Sequence, residues 1–124
     1  MTFSENRVGK RYEDFARIEA PELCVLPGVL VNISKTGCRV RFPIPVENKT
    51  NSIFELNIFP CCKKDLKPFC VSAKPIWKDC EQTNSEFGFS FVNSMEKTKL
   101  KNYLEVLKKS SLDLEDELLQ ELCL

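Results

Sequence analysis

A small all-β fold closed by a C-terminal helix is what this sequence predicts. Six short runs of alternating or apolar residues, each bounded by Pro, Gly, Asn or Asp, argue for strands. Beyond residue 93 the hydrophobic period changes from two to 3.6, as a helix requires. The chain has 124 residues, the size of one domain, and can bury roughly two thirds of its unfolded surface. Six strands of this kind make a small barrel or a sandwich. The six-stranded antiparallel barrel is preferred, because closure leaves no exposed strand edge. The implied organisation is an arm at 1–14, a β-barrel at 15–92 and a helical segment at 93–124.

Residues 1–14 are polar and mixed in charge, with no period, and read as an arm that is flexible until something orders it. Phe15 to Glu19 is a short strand ended by Pro21. Pro27-Gly28 is a turn signal, and Gly28 to Ser34 and Cys38 to Phe42 form a hairpin stopped by Pro43 and Pro45. In Ser52 to Phe59, Phe54, Leu56 and Ile58 alternate with Glu55 and Asn57, the pattern of a half-buried strand. Phe69 to Trp77 places Phe69, Val71 and Ala73 on one face, and Pro75 argues for a bend or an edge position. Trp77 reads as a core or barrel-rim aromatic. Phe87, Phe89 and Phe91 alternate in the last strand.

Asn93 and Glu96 make a plausible capping pair for a helix whose apolar face is Leu100, Tyr103, Leu104 and Leu107. Ser110-Ser111 interrupts it and can cap a second helix, with Leu114, Leu118, Leu119 and Leu122 as its stripe and acidic residues in its first turn. The tail either packs on its own core or serves as a partner-docking or dimerising helix.

The hairpin corner Asn32-Ile33-Ser34-Lys35-Thr36-Gly37 carries the chemistry. Strand alternation puts Asn32 and Ser34 on one face and Ile33 in the core. Gly37 ends the corner, where a left-handed backbone is cheap for glycine. Upstream lies Arg7-Val8-Gly9-Lys10-Arg11, an R-x-x-x-R segment. R-x-x-x-R followed at this distance by D/N-x-S-x-x-G resembles the signature of PilZ domains, and the likeness extends over most of the chain. The matching residues are Arg7, Arg11, Asn32, Ser34 and Gly37, with Asn in place of the commoner Asp. The resemblance implies a β-barrel that binds the bacterial second messenger cyclic di-GMP, and a tryptophan strand, a Gly-Phe-x-Phe-like strand and a helix at its end. Trp77 and Phe87-Gly88-Phe89-Ser90-Phe91 follow that order. Arg17 is a competitor for the second motif arginine. Phe15-Ala16-Arg17-Ile18 reads better as the first strand, which leaves Arg7 and Arg11 as the motif pair.

Eighteen basic and eighteen acidic residues cancel, so no net field draws the chain to nucleic acid or to a membrane. The start is basic; the last thirteen residues are acidic. No signal peptide and no run long enough for a membrane span is visible, which points to the cytosol. Seven cysteines at 24, 38, 61, 62, 70, 80 and 123 form no C-x-x-C, and there is no histidine. Packed, reduced thiols are therefore expected and no metal site, with Cys61-Cys62 the likeliest to be exposed. Without histidine the commonest general base is missing, and no glycine-rich phosphate loop exists. Recognition remains. Arginine can pair bidentately with phosphate or with a guanine edge, and can stack on a purine. Asn32 and Ser34 can add donors and acceptors. Two other classes stay open: a protein-interaction adaptor of the same fold that binds no nucleotide, and a barrel binding single-stranded nucleic acid, which zero net charge and few tyrosines disfavour.

Overall fold

The structure is a computed structural model that describes residues 11–46, 52–61, 66–92 and 97–122, with helix side chains described as far as residue 109. Its strands are β1 (Arg17–Glu19), β2 (Gly28–Ile33), β3 (Gly37–Phe42), β4 (Phe54–Phe59), β5 (Phe69–Cys80) and β6 (Ser85–Phe91), followed by the helix α1 (Lys97–Leu122). The strands close into an antiparallel barrel in the order β1-β2-β3-β6-β5-β4. All six expected strands are present.

Alternation explains the core. Phe54, Leu56 and Ile58 from β4, Phe69, Val71 and Ala73 from β5, and Phe87 and Phe89 from β6 all point inward and are buried. Ile18, Leu30, Ile33, Val40 and Phe42 complete the filling. Phe87 stands edge-on to Phe42 at 5.8 Å between ring centroids, and it stacks near-parallel with Phe89 at 5.7 Å. Both separations fall in the favourable range for aromatic pairs.

Two irregularities break the alternation. Between β2 and β3 the register shifts between Leu30 and Asn32, and between β5 and β6 it shifts between Pro75 and Trp77. Each is a β-bulge, in which one extra residue flips every later side chain to the other face. Pro75 thus sits at a bend, as expected, and in a stretch of β5 with a strand partner on one side only, although the barrel as a whole is closed. The pairing with β4 reaches only Ala73, so the missing N–H of Pro75 removes no rung on that side. Trp77 is not a core residue: it lies in the stretch of β5 beyond its last pair with β4. Past the bulge it lies on the outer face of the sheet, 39% exposed.

The helix α1 seats Leu100, Tyr103 and Leu107 against the barrel, where all three are buried. Tyr103 meets Phe69 edge-on at 5.6 Å. The expected break at Ser110-Ser111 does not occur, since α1 runs unbroken through both serines to Leu122. The reason is phase: Leu107, Ser111, Leu114 and Leu118 continue one 3.6-residue row, with no glycine or proline to stop it. The expected capping pair at 93 and 96 lies outside the described residues.

Of the expected arm, residues 1–10 lie outside the described residues. Residues 11–14 are tied down. Tyr12 forms a β-bridge with Ile33 through two backbone hydrogen bonds of 2.8 and 2.9 Å. Asp14 accepts hydrogen bonds from the Tyr103 hydroxyl at 2.5 Å and from the Cys61 backbone N–H at 3.1 Å.

Candidate ligand-binding cleft

The bulge in β2 turns Asn32 outward while Ile33 stays in the core at 0% exposure. Asn32 then pairs across the sheet with Arg39, Arg39 with Gly88, and Gly88 with Trp77. Those four residues form one transverse row on the outer face of β2, β3, β6 and β5. The Tyr12–Ile33 bridge brings in Arg11, whose Nη1 donates to Asn32 Oδ1 at 2.7 Å. Around the row lies a cleft of about 300 Å³ that includes Arg11, Asn32, Arg39, Ile76, Trp77 and Gly88 in its lining.

Gly88 makes the row flat. A Cβ there would stand 2.0 Å from Trp77 Nε1, so only glycine lets the indole lie across the strand. The Arg39 guanidinium is 5.1 Å from the centre of the Trp77 ring, a cation–π distance. Glu86, buried at 7% exposure, accepts from Arg39 Nη2 at 2.8 Å and from Arg41 Nη2 at 3.3 Å. The Arg39 hydrogen bond, helped by the charges of both arginines, holds the Glu86 carboxyl below the usual carboxylate range. The same hydrogen bond raises the Arg39 pKa further. Arg39 Nε is buried and has no hydrogen-bond partner among the described residues.

Cys38 lines the floor of the cleft. Burial pushes its thiol up to about 12, against the opposing pull of the Arg11 charge. It is a neutral wall at neutral pH and no nucleophile. Cys24 is also buried, Cys70 is intermediate, and Cys61 and Cys80 are exposed; Cys62 and Cys123 lie outside the described residues. Among the described residues no three His, Cys, Asp or Glu side chains cluster as metal ligands would, and no helix is long and apolar enough to cross a membrane.

The other expected site residues occupy different positions. Ser34 is 2% exposed and its hydroxyl is engaged within the corner. It lies 3.2 Å from Thr36 Oγ1, donates to the Gly37 carbonyl at 3.3 Å and accepts from the Thr36 backbone N–H at 3.3 Å. Gly37 is not left-handed, which corrects the reason expected for it. It is needed because a Cβ would stand 2.2 Å from the Phe89 carbonyl oxygen of β6. Arg17 lies in β1, ion-paired to Glu19 at 3.0 Å and over the Phe59 ring at 4.2 Å, and it does not line the cleft. Arg7 lies outside the described residues.

A PilZ domain matches residues 4–106. The chain belongs to the PilZ domain family. No curated protein matches it. Among solved structures, this PilZ chain is similar to the PlzA protein of Borreliella burgdorferi in complex with c-di-GMP, with a TM-score of 0.55 and 12% identity over 92% of this chain. It spans 55% of the length of that protein. At that identity the likeness carries the fold, and the fold is the PilZ barrel.

Reading the chain as strands left out Arg39, Glu86, Gly88 and Trp77. Arg39 was within reach, since it alternates outward from β3 directly after the motif. Trp77 was not, because its face is set by a bulge that only Pro75 hints at.

Proposed function

We propose that this PilZ domain is a receptor for cyclic di-GMP, a binding module and not an enzyme. The observation that supports it best is the outward row Asn32–Arg39–Gly88–Trp77 with Arg11 held on its end. It sets guanidinium groups, an amide and an open aromatic face around one cleft. A guanine needs those groups: arginine for its O6 and N7, an amide for its polar edge, and an aromatic ring to stack on. The larger groove of about 690 Å³ along Phe15, Val29 and Phe42 is mostly apolar in its lining and holds none of the motif residues.

The described walls enclose a volume at the small end for a ligand site. The segment that precedes Arg11, which carries Arg7, supplies the remaining wall in this reading. Arg7 and Arg11 clamp phosphate and guanine, and Asn32 completes the contact. Ser34 and Gly37 act by holding the corner. Binding is then relayed as a change in the N-terminal segment that a downstream protein reads.

Titration calorimetry with cyclic di-GMP, GMP and a single-stranded oligonucleotide tests the proposal. Saturable heat with the cyclic dinucleotide and none with the other two is expected. Heat with the oligonucleotide alone would make the domain a nucleic-acid binder. A second reading, an adaptor that binds no nucleotide, draws on Phe15 and Val25, which are 85% and 86% exposed. It predicts no heat with any of the three.

A further inference from the structure

A second groove, of about 660 Å³, runs between the first turns of α1 and the β2–β3 corner. Its floor includes Val71, Phe91 and Leu104, and its lining includes the lysines Lys35, Lys97 and Lys101. It is an apolar trough with basic groups along it, and its lining shares no residue with that of the ligand cleft.

Helix α1 is divided by charge. Residues 97–109 hold five lysines against one glutamate, and residues 110–122 hold five carboxylates, five leucines and no basic residue. The acidic half therefore has the composition the groove selects: leucines for the floor and carboxylates for the lysines. Its own chain cannot deliver it there. The helix is continuous from Lys97 to Leu122, and at 1.5 Å per residue Leu118 lies about 21 Å along the axis from Leu104. A straight helix cannot fold back onto its own first turns. A second copy, running antiparallel, can bring its acidic half to that groove. The two-fold symmetry then places the first copy's acidic half in the second copy's groove, so that one patch serves both sides and the assembly closes.

We propose that the protein forms an isologous dimer in which residues 110–122 of each α1 dock in the Lys35–Lys97–Lys101 groove of the other copy.

Sedimentation of the full chain across roughly 1–200 µM, a range that spans micromolar affinities, tests this. A concentration-dependent dimer is expected, and it should weaken as salt rises, because exposed charge pairs are screened. Two charge-reversed proteins sharpen the test: K97E/K101E, and E115K/E121K, which by helical spacing flank the Leu114–Leu118–Leu122 row. Each alone should raise the dimer dissociation constant at least tenfold. Mixed one to one they should form a heterodimer that recovers most of the lost affinity, since one groove then meets an unaltered tail and in the other the exchanged positions again set opposite charges together. Recovery on mixing requires folded partners, and circular dichroism of each variant checks this separately. A monomer throughout the range, as when residues 1–10 of the same chain fill the groove, overturns the proposal. So does a dimer indifferent to salt and to both reversals, or a failure of the mixed variants to recover.

Discussion

Arg11 and Asn32 are joined by an exposed hydrogen bond across twenty-one positions of sequence. Such a bond adds little to folding, but each group is well placed for an anionic or guanine ligand. Arg11→Ala should weaken cyclic di-GMP binding roughly ten- to a hundredfold, the equivalent of about 1.5–3 kcal/mol. The melting temperature of the protein alone should barely move. Arg7→Ala should cost a similar factor if Arg7 and Arg11 are the motif pair. Calorimetry that finds Arg11→Ala unimpaired and Arg17→Ala defective would reassign the motif. Glu86 behaves differently, because it is buried between two arginines. Its folded pKa is depressed, chiefly by the Arg39 hydrogen bond. The stability it contributes is fully present above the unfolded glutamate value of about 4.3 and is lost as pH falls through the lower folded value. Urea midpoints should therefore fall on acidification below about pH 4.3. Glu86→Gln should flatten that acid limb while lowering stability at pH 7 by about 1 kcal/mol, since both arginines are partly solvated. An unchanged acid limb would remove Glu86 from this role.

At the scale of strands and helix, the two tightly placed glycines should fail in different ways. A Cβ at Gly37 meets backbone, the Phe89 carbonyl at 2.2 Å. Gly37→Ala must part β3 from β6 and should cost about 2–3 kcal/mol by denaturant titration. A Cβ at Gly88 meets the Trp77 indole, a half-exposed side chain that can swing away. Gly88→Ala should cost about 1 kcal/mol or less. It should change the fluorescence of the single tryptophan and weaken ligand binding more than Gly37→Ala does per unit of stability lost. Equal fluorescence before and after would mean the indole is not held by the strand. The helix contributes through Tyr103, whose hydroxyl reaches Asp14, three residues from Arg11. Tyr103→Phe should cost about 1.5–3 kcal/mol, as for a hydrogen bond to a charged group. It should also speed amide exchange at Tyr12, which that anchor steadies.

The whole molecule joins a rigid barrel to an N-terminal segment that it grips at Tyr12 and Asp14. Ordering a chain segment costs about 1–2 kcal/mol per residue, and charge-assisted contacts of about 1.5–3 kcal/mol offset only a few residues. A ligand-driven change should therefore be short. Hydrogen exchange with cyclic di-GMP should show new protection around Arg7 to Lys10 and none in β4, the strand from Phe54 to Phe59. Ligand at a hundred times its dissociation constant should stabilise the fold by about 2.7 kcal/mol, seen as a rise in melting temperature. Equal protection of that segment with and without ligand would make the domain a preformed site and not a switch.

What the chain determines by itself is everything with a local period. Alternation in Phe54–Ile58 and Phe87–Phe91 needs no partner to be read, because side-chain parity in a strand is a property of the backbone. The motif residues were legible as residue types at fixed spacing, and Ile33 was legible as core. The tertiary structure decided what depends on register between distant strands. The bulges at Leu30–Asn32 and Pro75–Trp77 reset parity, and no local pattern announces how many residues oppose one another across a ladder. Gly37 showed as a glycine but not why: the close body is a carbonyl on β6, some fifty residues away. Ser34 and Asn32 look equivalent in the sequence, yet the corner encloses one and presents the other. Closure of the barrel made Asn32, Arg39, Gly88 and Trp77 neighbours, because pairing across strands, not distance along the chain, sets which side chains share a row.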